Sequence, residues 1–97
     1  MSKHELLEEG ALRVRLGSLP GWHFEKNAVV KKFEFADFDA TMAFVNKLAD
    51  LARERDHHPE LLVREKTCEV RLTTHDAGGV TQADLDGVGA IDNLRRG

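Results

Sequence analysis

Two periods of apolar and polar residues run along the chain. Leu6, Leu7, Ala11 and Leu12 fall at near-helical spacing and predict an opening helix over Glu5 to Leu16, weakened by Gly10. Leu19-Pro20-Gly21 marks a turn. Trp22 and Phe24 then alternate with His23 and Glu25, the pattern of a half-buried strand, until Asn27 interrupts it. From Val29 to Phe35 β-branched and aromatic residues resume, so two strands joined around Asn27 predict an antiparallel hairpin. Asp37 or Asp39 can cap the next element, because a short carboxylate satisfies free N–H groups at a helix start. Phe38, Met42, Val45, Leu48, Ala49 and Ala52 recur at three- and four-residue spacing, which predicts an amphipathic helix to about Arg55. Pro59 disfavours helical backbone at His58, so the helix should end near His57.

After Pro59, Leu61 and Val63 alternate with Leu62 and Arg64, and Cys68, Val70 and Leu72 alternate with Glu69, Arg71 and Thr73. Glu65-Lys66 sits between these runs and predicts a second hairpin. His75-Asp76-Ala77-Gly78-Gly79 reads as a loop, its glycines turning the chain. Thr81 with Asp84 resembles a capping box, with Asp in place of the usual Glu, and opens a last helix to about Arg95. Gly87 and Gly89 inside that helix each cost about 1 kcal/mol relative to alanine. The order is α-β-β-α-β-β-α, an α+β fold with a four-stranded antiparallel sheet and helices packed on one face. One domain over residues 1–97 is expected, with no repeat or linker.

Composition narrows the function. The 97 residues are 41% hydrophobic and 32% charged, which fits a globular chain. The net charge of −3 comes from interspersed signs without a basic patch, so nucleic acid is not expected as a partner. No apolar run approaches the roughly 20 residues of a membrane helix, and Met1-Ser2-Lys3-His4-Glu5 lacks the order of a secretory signal. Cys68 is the only cysteine and falls in an alternating apolar pattern, so it reads as a small core side chain and the location as cytoplasmic. A chain this small has a thin core, to which oligomerisation would add burial.

Five histidines then stand out. His57-His58-Pro59 ends the long helix and His75 ends the last strand. The second hairpin returns His75 to the edge where His58 lies, so three imidazoles can converge. Imidazole both gives and takes protons near neutral pH. A histidine pair at a helix end also simply favours the helix dipole, which is the plainer reading of His57 and His58 taken alone. His4 and His23 have no partners in sequence and read as surface or strand positions. Three imidazoles with Asp76 could instead bind zinc, but adjacent histidines diverge and make a poor chelating pair; no metal is expected. The charged stretch Asp50 to Asp56 reads as a solvated helix end.

His57-His58-Pro59-Glu60, followed by Thr73-Thr74-His75-Asp76-Ala77-Gly78-Gly79-Val80-Thr81, resembles the signature of the pterin-4a-carbinolamine dehydratases. The resemblance takes in Leu19-Pro20-Gly21-Trp22, Phe33-Glu34-Phe35 and Asp37-Phe38, and ends around Ala90-Ile91-Asp92. It implies a lyase that converts a 4a-hydroxytetrahydropterin to the quinonoid dihydropterin plus water, in tetrahydrobiopterin recycling. It implies His57, His58 and His75 as catalytic residues, with Asp56, Pro59, Thr73, Thr74 and Asp76 at the pterin pocket. No cofactor is implied, and a homodimer or homotetramer is. Three positions depart from the family pattern. Arg53 stands at a usually acidic position, with Glu54 displaced by one, while Leu61 and Glu65 stand at usually aromatic ones. Some relatives act as dimerisation or assembly partners, a role the apolar helix from Phe38 to Ala52 could also serve.

Overall fold

The computed structural model describes residues 5–96, so His4 lies outside the described residues. Its elements are α1 (Glu9–Leu16), β1 (His23–Glu25), β2 (Ala28–Glu34), α2 (Phe38–Arg55), β3 (Glu60–Val63), β4 (Thr67–Leu72) and α3 (Gln82–Arg96), with a 3-10 turn at His75–Ala77 between β4 and α3. The α-β-β-α-β-β-α order and the antiparallel sheet agree with the periodicity. Both hairpins turn on two residues, Lys26-Asn27 and Glu65-Lys66. Lys26 and Asn27 both take positive φ, 47° and 65°, the mirror-image turn that matches the twist of the flanking strands. The spatial order is β1-β2-β4-β3, which puts the two hairpins side by side and leaves β1 and β3 at the edges.

Alternation decides the faces. Val29 and Phe33 of β2 and Cys68, Val70 and Leu72 of β4 point to the helices, where they join Leu12 and Leu16 of α1, Phe44 and Leu48 of α2, and Leu85, Val88 and Ile91 of α3 in one core. Phe33 anchors it, with its ring 4.8 Å from that of Phe44 and edge-on to Trp22 at 6.1 Å. On the open face, Arg71 of β4 crosses β2 to reach Glu25 of β1 and lies 3.7 Å from Glu60 of β3. Val30, opposite Arg71 in the register, and Ala28, opposite Glu25, are buried although they face away from the helices.

The ends of the helices differ from the periodic pattern in instructive ways. α1 begins at Glu9, not Glu5. Leu6 and Leu7 are drawn off by strand-like pairing, Leu6 opposite Thr81 and the Leu7 N–H donating to the Val80 carbonyl at 2.9 Å. Asp37, not Asp39, caps α2, accepting from the Ala40 N–H at 2.8 Å. α2 stops at Arg55 because Asp56 turns left-handed, φ 52°. The N–H of His57 reaches Ala52 O and that of Asp56 reaches Arg53 O, the paired bonds of a Schellman ending. Pro59 then keeps the chain from resuming the helix.

Gly87 and Gly89 have different standing. A Cβ at Gly87 would meet Leu72 Cδ1 at 3.4 Å, the near limit of ordinary contact, whereas a Cβ at Gly89 would meet nothing within 4 Å. Gly89→Ala is therefore expected to raise stability by about 0.5–1 kcal/mol in urea unfolding, and Gly87→Ala to gain less. Burial pushes the Cys68 thiol from its ordinary 9.0 up to about 11. The native thiol should resist a disulfide reagent at pH 8 and react once urea unfolds the chain. The unfolded thiol ionises first, so its contribution to stability is complete below pH 9.0 and lost as the pH rises toward about 11.

Candidate active site

Three segments meet where the strands end. The Schellman turn directs His57 and His58 out of α2, β4 delivers Thr73 and Thr74, and the 3-10 turn carries His75 and Asp76. Asp56, His57, His58, Thr73, Thr74, His75 and Asp76 line one open cleft of about 300 Å³. Pro59 is not among them. It lies with Leu48, Ala52, Leu72 and Ile91 around an apolar gap of about 10 Å³ behind His57, too small for a ring to enter.

The cleft is anchored from beneath by a residue that sequence reasoning placed only in a cap. Asp84 has no solvent exposure, and its Oδ1 stands 2.6 Å from His57 Nε2. Its Oδ2 accepts from the Thr81 N–H and from Thr74 Oγ1, each at 2.8 Å. Thr74 Oγ1 is also 2.9 Å from Thr81 Oγ1. One carboxylate thus joins the end of α2, the end of β4 and the start of α3. The Thr81 contact is half of the expected capping box, and because it uses only Oδ2 it leaves Oδ1 for His57. A carboxylate can only accept, so His57 carries a proton on Nε2 and turns Nδ1 away from Asp84.

His58 and His75 differ from His57. Both are exposed, and among the described residues no side chain hydrogen-bonds to either ring. They can exchange protons with solvent or a ligand without breaking an internal contact. No three His, Cys, Asp or Glu side chains among the described residues are grouped to hold a metal ion. His23 lies apart, exposed and 3.2 Å from Glu25.

The three departures from the family pattern lie off the cleft. Arg53 pairs with Asp50 at 2.8 Å on the surface of α2. Leu61 and Arg53 line a separate groove on the far side of His58. Glu65 sits in the β3–β4 turn, where its carbonyl accepts from the buried Thr41 hydroxyl at 2.9 Å.

A small α+β protein with an imidazole-lined cleft at its strand ends is what fold and site define. The family model for pterin 4 alpha carbinolamine dehydratase matches residues 5–94. A protein of Acidobacterium capsulatum, named as a candidate pterin-4-alpha-carbinolamine dehydratase, is 43% identical over 84 residues, covering 87% of this chain and 91% of that one. A protein of Metallosphaera sedula with the same naming is 44% identical over 81 residues, covering 84% of each. The crystal structure of a transcriptional coactivator/pterin dehydratase from Brucella melitensis superposes with a TM-score of 0.85 at 30% identity, over 91% of this chain and 96% of that one. A pterin dehydratase-like protein identified as a RuBisCO assembly factor in the alpha-carboxysome shares the fold, at a TM-score of 0.63 and 23% identity over 75% of this chain and 84% of its own. The chain belongs to the pterin-4a-carbinolamine dehydratase family.

Asp84→Ala should lower stability by about 2–3 kcal/mol in urea unfolding, because Thr81, Thr74 and His57 all lose their acceptor. Asp84→Asn, which can still accept from Thr81 and Thr74, is expected to cost clearly less.

Proposed function

We propose that this chain, as one domain over residues 1–97, is a 4a-hydroxytetrahydrobiopterin dehydratase that works by histidine acid–base catalysis. The observation that carries the reading is the shared cleft of His57, His58 and His75, with one imidazole fixed by a buried carboxylate and two free to exchange protons. Dehydration removes a proton from a ring nitrogen, whose N–H electron pair becomes the new C=N bond. The C4a–O bond breaks and its electrons leave with the hydroxyl, which is protonated to water. One proton is taken and one is given, so the elimination needs no redox partner.

His58 and His75 share these two transfers. Imidazole is the side chain suited to both proton transfers, and positioned acid–base groups typically contribute about 10²–10⁴-fold. His57, held through Nε2, orients the substrate with Nδ1. Asp56, Thr73, Thr74 and Asp76 offer the polar wall against which a pterin amide edge can bond, and Pro59 supports His57 from behind. Thr74 is partly committed to Asp84 through its hydroxyl proton, so its role is to accept.

The same reading makes the protein a homodimer or homotetramer in the cytoplasm. Leu61, Leu62 and Val63 on the free edge of β3 and Phe38 on α2 are exposed apolar residues that a second copy would cover. Among the described residues no helix is long and apolar enough to cross a membrane. That exposed apolar surface also favours a second reading, a non-catalytic dimerisation or assembly partner on this scaffold. A stoichiometric partner recovered with the protein, together with no turnover, would select it.

The deciding measurement is stopped-flow decay of a 4a-hydroxytetrahydropterin at neutral pH with micromolar protein. Faster decay is expected, with His58→Ala and His75→Ala each removing most of the acceleration. Decay unchanged by the protein would overturn the proposal.

A further inference from the structure

We propose that Asn27, in the turn of the first hairpin and remote from the histidines in sequence, is a positioning residue for His75. The proposal rests on the dehydratase reading above for its kinetic consequence, though not for its geometry. His75 rides on a loop that closes on itself. The Thr74 carbonyl accepts from the N–H groups of Ala77, Gly78 and Gly79, and the Thr74 N–H donates to Gly79 O at 2.9 Å. These bonds set the internal shape of the loop but not its placement against the sheet. Its outer residues His75, Asp76 and Gly78 are exposed, so packing gives them little hold.

Asn27 supplies the missing tie. Its left-handed φ of 65° is what the two-residue turn demands, and glycine would serve that demand as well. The side chain does something the turn does not require. Its Nδ2 donates to the Gly78 carbonyl at the apex of the His75 loop. Its backbone carbonyl accepts from Thr73 Oγ1 at 2.9 Å, so the same residue holds the strand end from which the loop departs. Gly79 bears the complementary mark. It has no positive φ to explain a glycine, yet a Cβ there would stand 2.8 Å from Asn27 Oδ1 and 2.8 Å from Leu6 Cδ1. The glycine makes room for the Asn27 amide. Asn27, Thr73, His75 and Gly78 also share the wall of a second opening of about 240 Å³ that meets the histidine cleft at Thr73 and His75. The hairpin turn is therefore a fixed post against which the His75 loop is moored.

Two variants separate this role from that of the turn. Asn27→Gly keeps the left-handed backbone and removes the amide. Asn27→Asp keeps the turn and sets a carboxylate against the Gly78 carbonyl in place of the donor. In both, amide exchange at Gly78 and Gly79 is expected to quicken by about tenfold, the loss of one hydrogen bond's protection. Misplacing a reacting group by about 1 Å can cost up to 10²-fold, so kcat should fall roughly ten- to a hundredfold with KM little changed. In the His75→Ala background Asn27→Gly should cost nothing further, because the group it positions is gone. Unchanged exchange at Gly78 and Gly79 would overturn the proposal, and so would an equal loss of turnover with and without His75. If the unsubstituted protein gives no turnover, the dehydratase reading fails, while the exchange measurement still decides whether Asn27 holds the loop.

Discussion

A carboxylate with no access to water sets the terms for the rest of this molecule. Removing Asp84 from solvent is costly unless each oxygen finds donors, and the donors come from three elements: the Thr81 N–H at the head of α3, the Thr74 hydroxyl after β4 and the His57 ring after α2. The position at the N-terminal end of α3 adds the favourable end of the helix dipole. These contacts can be satisfied together only if α2 ends, β4 ends and α3 begins at one place. The need to satisfy a buried charge and the assembly of the histidine cleft are thus the same structural event. Among the described residues no buried side-chain polar atom is left without a partner.

What the chain reveals before folding follows from how local each signal is. Hairpins written in period two, the long stripe from Phe38 to Ala52 and the turn residues between them identify the sheet and α2 almost to the residue. α1 starts later than its spacing predicts because Leu6 and Leu7 carry a helix-like spacing while their partners, Thr81 and Val80, lie more than seventy residues away. The gathering of His57, His58 and His75 was legible because both sequence segments end at element boundaries of one hairpin. Asp84 was legible only as a cap. Its substitution for the usual Glu was the available hint, but nothing local says that the second oxygen reaches His57.

The tie between the two faces of the protein has a similar non-local character. Trp22 donates through Nε1 to Asp92 near the end of α3, and Lys31 stands 3.2 Å from the same carboxylate. Trp22 and Lys31 belong to the first hairpin, so α3 is held at its start by Asp84 and near its end by Asp92. The helix lies across the sheet as a strut fixed at both ends. Gly87, near the middle of α3, faces Leu72 of β4.

β3 has a consequence of another kind. Paired with β4 on one side, the strand carrying Leu61, Leu62 and Val63 leaves its other edge open, and such an edge invites open-ended stacking of chains, the route to insoluble fibrils. Here the strand is four residues long. It is bounded on one side by Pro59, which has no N–H to give, and on the other by Arg64, Glu65 and Lys66 at the hairpin turn. Such flanks act as gatekeepers: they leave too short an uncharged stretch to template a growing cross-β stack. The edge is sticky over a few residues and guarded at both ends, which limits how far strand-to-strand growth can run.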